Sequence, residues 1–188
     1  MIRGLTTGTP DKLLLGVGAF YKDWVVGTDT PSTASAKLLG ATDGGGSFAA
    51  VPAIRQVSVD GAPGPVKGLE VIDGWTATLT ANVKEITAAN LELAVVNFTA
   101  TTVTDGTKIT TGHDIDASSD YTTNITWVGT ISGMTKPVII VLKNAISMNG
   151  INITLADKNE AVLPLTLTAH YDLSDLETPP FEIIYPTT

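Results

Sequence analysis

Cysteine is absent from this chain, and histidine occurs only twice, at His113 and His170. The first absence excludes disulfides and thiolate metal centres and fits a reducing compartment. The second leaves few nitrogen ligands for a metal and few general bases for nucleophilic catalysis. Basic residues are scarce, 11 against 19 acidic, for a net charge of −8. Such a balance repels duplex phosphates and argues against tight nucleic-acid binding. Long hydrophobic runs are lacking too. The longest strongly apolar stretch, Val138 to Leu142, is far short of the roughly 20 residues that span a bilayer. The opening Met1-Ile2-Arg3-Gly4-Leu5-Thr6-Thr7-Gly8 has no apolar core of a signal peptide. A soluble chain is expected, without membrane anchoring or Sec-type secretion.

What is present is apolar content of 43% over 188 residues, enough for one well-buried domain, read as 1–188. The charge is uneven. Residues 1–94 carry 7 basic and 9 acidic groups and residues 95–188 carry 4 and 10, which places −2 and −6 in the two halves.

Period-two alternation dominates, the pattern of half-buried strands. Trp75, Ala77, Leu79, Ala81 and Val83 share one face, with Thr76, Thr78, Thr80, Asn82 and Lys84 opposite. Leu163, Leu165, Leu167, Ala169 and Tyr171 oppose Pro164, Thr166, Thr168, His170 and Asp172, and Ile125, Trp127 and Ile131 oppose Asn124, Thr126 and Thr130. Val138–Leu142 is apolar on both faces and reads as a central, doubly covered strand. Further strands are expected at Leu13–Tyr21, Ile54–Asp60, Lys67–Ile72, Ile151–Leu155 and Phe181–Tyr185. Asp60-Gly61, Asp73-Gly74, Asp105-Gly106 and Asn149-Gly150 are turn dipeptides and predict antiparallel hairpins. One helix is expected over about 87–97. Thr87 is its N-cap, Ile86 and Leu91 stand at staple positions, and Asn90 replaces the Glu or Gln of a capping box. The fold class is mainly β, an antiparallel sandwich or barrel with one flanking helix and long loops. Gly27–Ser47 and Thr104–Asp120 fit no element, and the first reads as a flexible arm whose deletion over Thr30–Thr42 would leave the rest folded.

Motifs of chemistry are incomplete. Gly45-Gly46-Ser47-Phe48-Ala49 nearly matches a nucleophile elbow but ends in Ala. Asp114, Asp116, Ser118 and Asp120 resemble the start of a calcium loop, yet Ser119 stands where Gly is required and Ile125 where the bidentate Glu belongs. Gly61-Ala62-Pro63-Gly64-Pro65-Val66-Lys67-Gly68 has the wrong spacing for a phosphate loop, and its prolines lack N–H donors. The reading assigns no catalytic, cofactor-binding or metal residue.

Several segments in order along the chain resemble one family. They are Gly40-Ala41-Thr42-Asp43-Gly44-Gly45-Gly46-Ser47-Phe48, Val59 to Gly68, Trp75 to Asn82, Asp157 to Val162, Thr168 to Asp172 and Glu177 to Ile183. The chain resembles the tail tube, or major tail, proteins of long-tailed bacteriophages of Gram-positive bacteria. It departs from them at Asp43, where the family carries a basic residue. The resemblance implies a virion protein, made in the host bacterial cytoplasm, that self-assembles into stacked hexameric rings around genome DNA. Implied partners are the tape-measure, tail-tip and tail-terminator proteins. Asp43, Gly44, Gly45, Gly46 and Ser47 are then expected in the assembly arm, and a C-terminal segment at 173–188. Asp157, Glu160 and Asp172 are expected to line the lumen, although the same charges would also serve solubility alone. The competing reading is another non-enzymatic β-module, for decoration of a virion or for carbohydrate binding, and a further one is an enzyme.

Overall fold

The structure is a computed structural model that describes Gly4, residues 6–14 and residues 18–187. Its strands are β1 (Ala19–Lys22), β2 (Thr42–Gln56), β3 (Glu70–Val83), β4 (Phe98–Val103), β5 (Gly106–Thr111), β6 (Thr122–Gly129), β7 (Val138–Ser147), β8 (Leu163–Thr168) and β9 (Phe181–Ile184). One α-helix among the described residues, α1 (Ala88–Ala94), lies between β3 and β4. The class is mainly β and antiparallel, as the alternation predicts.

β7 organises the sheet. The order runs β1-β6-β7-β8-β3-β2, and β9 pairs with β7 as well. β7 meets β9 over Ile139–Leu142 and β8 over Ile146 and Ser147, so the sheet splits along it. One layer is β1-β6-β7-β9, the other β7-β8-β3-β2, and they fold over a shared core. That core takes Phe20, Ile125 and Leu142 from the first layer and Ala77, Leu79, Val83, Leu163, Leu165 and Leu167 from the second. Apart from Phe20 and Leu142, these are residues that the sequence pattern places on single faces. At roughly 25 cal/mol per Å² of apolar surface removed from water, this interdigitated layer is the main source of stability. Val138, Val141 and Leu142 are all buried, as a doubly covered strand requires.

The first layer is also covered outside. Tyr21, Trp24, Ala34 and Val128 form a second cluster, with Ala19 and Ile139 against it. Thr126 is therefore fully buried, against its expected place on a polar face, and its hydroxyl bonds Asn124 Oδ1 at 3.0 Å. The segment read as a flexible arm supplies this cover. Ala34 and Leu39 are buried, Leu38 bridges Tyr21, and Ser35–Lys37 forms a 3-10 turn. Deleting Thr30–Thr42 would strip both cores, so the expectation that the rest folds unchanged does not suit this packing. Thr42–Ser47 is the first part of β2 rather than loop.

α1 is shorter than the span of 87–97 read from the sequence. Its N-cap is Thr87, whose hydroxyl accepts from Asn90 N at 3.2 Å. Asn90 is buried, and its amide donates to Leu39 O and Glu85 O, both at 2.7 Å. It ties the helix to the chain following β1 instead of closing a capping box. Of the staple pair, Leu91 packs on the core while Ile86 stays 42% exposed.

Other expectations shift. Of the strand expected at Leu13–Tyr21, Leu15, Gly16 and Val17 lie outside the described residues. Asp73-Gly74 is no turn but a β-bulge inside β3, where Ala53 pairs with Gly74 and Ile54 with Ile72, leaving Asp73 over. Asp105-Gly106 does end a hairpin, β4–β5, which carries strand into the unassigned 104–120 region. Ile151–Leu155 takes no regular structure.

Candidate functional site: an open sheet edge and its projecting hairpin

β2 is the edge of its layer. It pairs with β3 along its length and with no other strand among the described residues. Edge strands expose a row of unpaired N–H and C=O groups and template further pairing unless blunted. β8 pairs with β7 only at Ile146–Thr168 and Ser147–Leu167, so Leu163–Thr166 also has a strand on one side only. One layer thus offers open edges at opposite ends.

Beyond the core the β2–β3 hairpin continues alone. No residue from Val51 to Asp73 is buried, although the segment is rich in aliphatic side chains. Val51 and Ile54 are each 60% exposed and Ile72 is 54% exposed. Ile54 and Ile72 face each other across the pair. Arg55 Nε and Nη2 both reach the bulged Asp73, Nε at 3.0 Å from Oδ2 and Nη2 at 3.2 Å from Oδ1. Clustered exposed aliphatics of this kind mark association surfaces.

At the other end of β2 stand the residues expected in the arm. Thr42 pairs with Val83 and Gly46 with Ala81, so Asp43, Gly44 and Gly45 bulge opposite Asn82. Gly44 and Gly45 have φ of 69° and 68°, a conformation that favours glycine. Asp43 Oδ2 lies 3.2 Å from Lys84 Nζ, and Glu160 Oε2 lies 3.4 Å from the same nitrogen. The carboxylate of Asp43, then that of Glu160, holds the Lys84 ammonium above its ordinary pKa of 10.5. Asp43 and Glu160 are thus joined through Lys84, which the alternation places on the polar face of its strand. Their separation in the chain hides the link. Ser47 N and Oγ meet Thr80 Oγ1 at 2.7 and 2.8 Å, and the chain runs through Ser47 as strand, without the turn an elbow needs.

The other nominated acids lie elsewhere. Asp157 sits in the exposed 148–162 connection. Asp172 forms an exposed turn in which the hydroxyl and then the N–H of Ser174 hold its carboxyl below the ordinary 3.8. It borders a cleft of about 410 Å³ with Trp24, Val141, Lys143 and His170. His170 stands edge-on to Tyr121, centroids 5.2 Å apart, with Nδ1 3.1 Å from Thr168 O. Asp116 and Asp120 of the calcium-like run are engaged by nearby donors: Asp116 accepts from Ser118, and Asp120 accepts from Asn97 N and Asp116 N. Among the described residues no three His, Cys, Asp or Glu side chains converge on a metal position.

All three tryptophans are engaged in packing. Trp24 is buried beside Tyr21, Trp75 meets Phe181 edge-on at 5.5 Å, and Trp127 packs on the main core. None is laid flat on the surface as a platform for a sugar ring. No helix among the described residues is long and apolar enough to cross a membrane. No protein-family model matches the chain, and no curated protein matches it either.

Proposed function

We propose that this chain is a structural subunit of a bacteriophage tail tube, self-assembling into stacked hexameric rings around genome DNA. The observation that carries the reading is the layer with two unpaired edges and a projecting aliphatic hairpin. A heterologous contact, β2 of one subunit beside β8 of the next, repeats by rotation and closes a ring when the angle divides a full turn. Closure removes the edges that would otherwise pair without control. The hairpin, reaching past the core, suits contact between neighbouring subunits or between rings. The resemblance of Gly40–Phe48 and Trp75–Asn82 to tail tube proteins falls on this same layer and independently supports the reading. The tape-measure, tail-tip and terminator proteins are then the partners at the bore and the ends.

A double substitution, Val51→Lys with Ile54→Lys, tests the role of the hairpin. Both side chains are exposed, so subunit stability should change by no more than about 0.5 kcal/mol per site. Each added ammonium would have to be desolvated at an apolar contact, which costs far more than it returns. The expected result is a normally folded subunit that forms no tubes in electron micrographs. Tubes of ordinary width and length from the double variant would remove the hairpin from the assembly contact.

A further inference from the structure

Asn149-Gly150, a turn dipeptide by sequence, closes no hairpin. β7 ends at Ser147, and the next strand along the chain, β8, begins only at Leu163. Both residues of the pair are exposed and lie outside any regular element. Among the described residues neither the Asn149 side-chain amide nor the Gly150 N–H has a hydrogen-bonding partner. Gly150 has a φ of 67°, and a Cβ placed on it would meet nothing within 4 Å. The side-chain amide and the N–H that follows it thus stand together in open solvent.

The other asparagines are held or shielded. Asn90 donates to Leu39 O and Glu85 O, Asn124 to Trp24 O and Asn144 to His170 O. Asn97 accepts from Gly112 N. Asn82, Asn152 and Asn159 precede Val83, Ile153 and Glu160, whose side chains crowd the N–H that follows.

We infer that Asn149 is a site of spontaneous deamidation, with Gly150 as the attacking residue. The Gly150 nitrogen, having lost its proton to hydroxide, attacks Asn149 Cγ. The Cγ–Nδ2 bond breaks, and Nδ2 takes up protons from water and leaves as ammonia. Water then opens the resulting five-membered imide at one carbonyl or the other, giving an aspartyl or an isoaspartyl residue. One water is consumed and one ammonia released, and nothing is oxidised or reduced. Attack needs backbone freedom and no Cβ beside the nucleophile, which glycine provides. Backbone outside a hydrogen-bonded ladder reaches such geometries at little free-energy cost. The Asp-Gly pairs carry carboxylates, whose negative charge repels an attacking nitrogen anion.

The product adds one carboxylate to a net charge of −8. It stands between Met148 and Ile151, which are 61% and 43% exposed. The isoaspartyl form also inserts Cβ into the main chain, just beyond the pairing of Ser147 with Leu167 that joins β7 to β8. The inference concerns the free subunit and does not depend on the tube reading.

The test incubates the folded subunit in mildly alkaline buffer, beside a free peptide spanning Ser147–Ile153 as the unrestrained reference. Intact mass follows the exchange of an amide NH2 for OH, a gain of one mass unit. Fragmentation of the tryptic peptide locates the change, and an isoaspartyl methyltransferase reports the rearranged linkage. The gain should fall on Asn149, at a rate within about tenfold of the peptide's, as for a segment whose opening costs little. Asn149→Gln, an exposed change that lengthens the ring to be closed, should abolish it without altering the fold. A folded subunit that reacts far more slowly than the peptide, or that deamidates first at another asparagine, would overturn the inference.

Discussion

Replacing Phe20 with Ala is expected to lower the stability of the subunit by about 3–5 kcal/mol. The ring is 1% exposed and among the largest fully buried side chains. It stands opposite Trp127 on β1, points into the core shared by both layers, and reaches Gly46 on β2. Removing it leaves a cavity bounded by strands whose hydrogen bonds hold them in place, so collapse is limited. Domains of this size have about 5–15 kcal/mol in total, so the variant should be close to unfolding. Urea denaturation followed by far-ultraviolet circular dichroism measures it: the midpoint should fall with the slope unchanged. A loss below about 1 kcal/mol, the range of surface changes and mild swaps, would mean that the two layers do not meet over this ring.

Gly46→Ala should be worse than its single methyl suggests. A Cβ at Gly46 would stand 1.9 Å from the carbonyl oxygen of Thr80 and 2.7 Å from Phe20 Cζ. The ring can move; the carbonyl cannot move without disturbing the β2–β3 pairing, in which Gly46 lies opposite Ala81. Overpacking commonly costs about 1–3 kcal/mol where side chains relax. Here backbone must yield, so the cost should exceed that range and the start of β2 should detach. Hydrogen exchange at Ser47–Ala50 should accelerate, and assembly through the β2 edge should fail. Combining the change with Phe20→Ala separates the causes, because the double variant relieves the ring but not the carbonyl. If the double variant recovers β2 protection, the close approach to Thr80 is not the reason for glycine.

The layer that carries these effects was legible from alternation. Trp75–Lys84 and Leu163–Tyr171 announce their inward faces because a strand with one buried side must repeat with period two. β7 was legible for the complementary reason, being covered on both sides. The start of β2 was not, because Asp43-Gly44-Gly45-Gly46 has almost no side chains from which alternation could be read. Its pairing with β3 is fixed by bulge geometry and by a backbone approach that only the fold reveals. Asp73-Gly74 misleads for a related reason, since the dipeptide that favours a turn also tolerates a bulge. β5 was missed because Thr107, Thr110 and Thr111 carry β-propensity without an apolar face. Among the candidate site residues, Asp43 and Glu160 share Lys84 through contacts between distant parts of the chain. The outward hydroxyls of β3 and β8 were legible too, since Thr78, Thr80, Thr166 and Thr168 alternate with buried Leu79, Leu165 and Leu167, whereas the acidic excess of the second half places no single carboxylate. Charge counting weighs residues by number and takes no account of which side of a sheet they occupy.

Self-assembly is the central claim, and the unmodified chain tests it most directly. Purified protein is examined by negative-stain electron microscopy over a range of concentrations, alone and with tail-initiation proteins, while light scattering reports mass. Open edges and an aliphatic hairpin predict rings that stack into tubes of uniform bore as concentration rises, six-fold as the resemblance to tail tube proteins implies. A strict monomer at every concentration, with no rings even when initiation proteins are supplied, would contradict it.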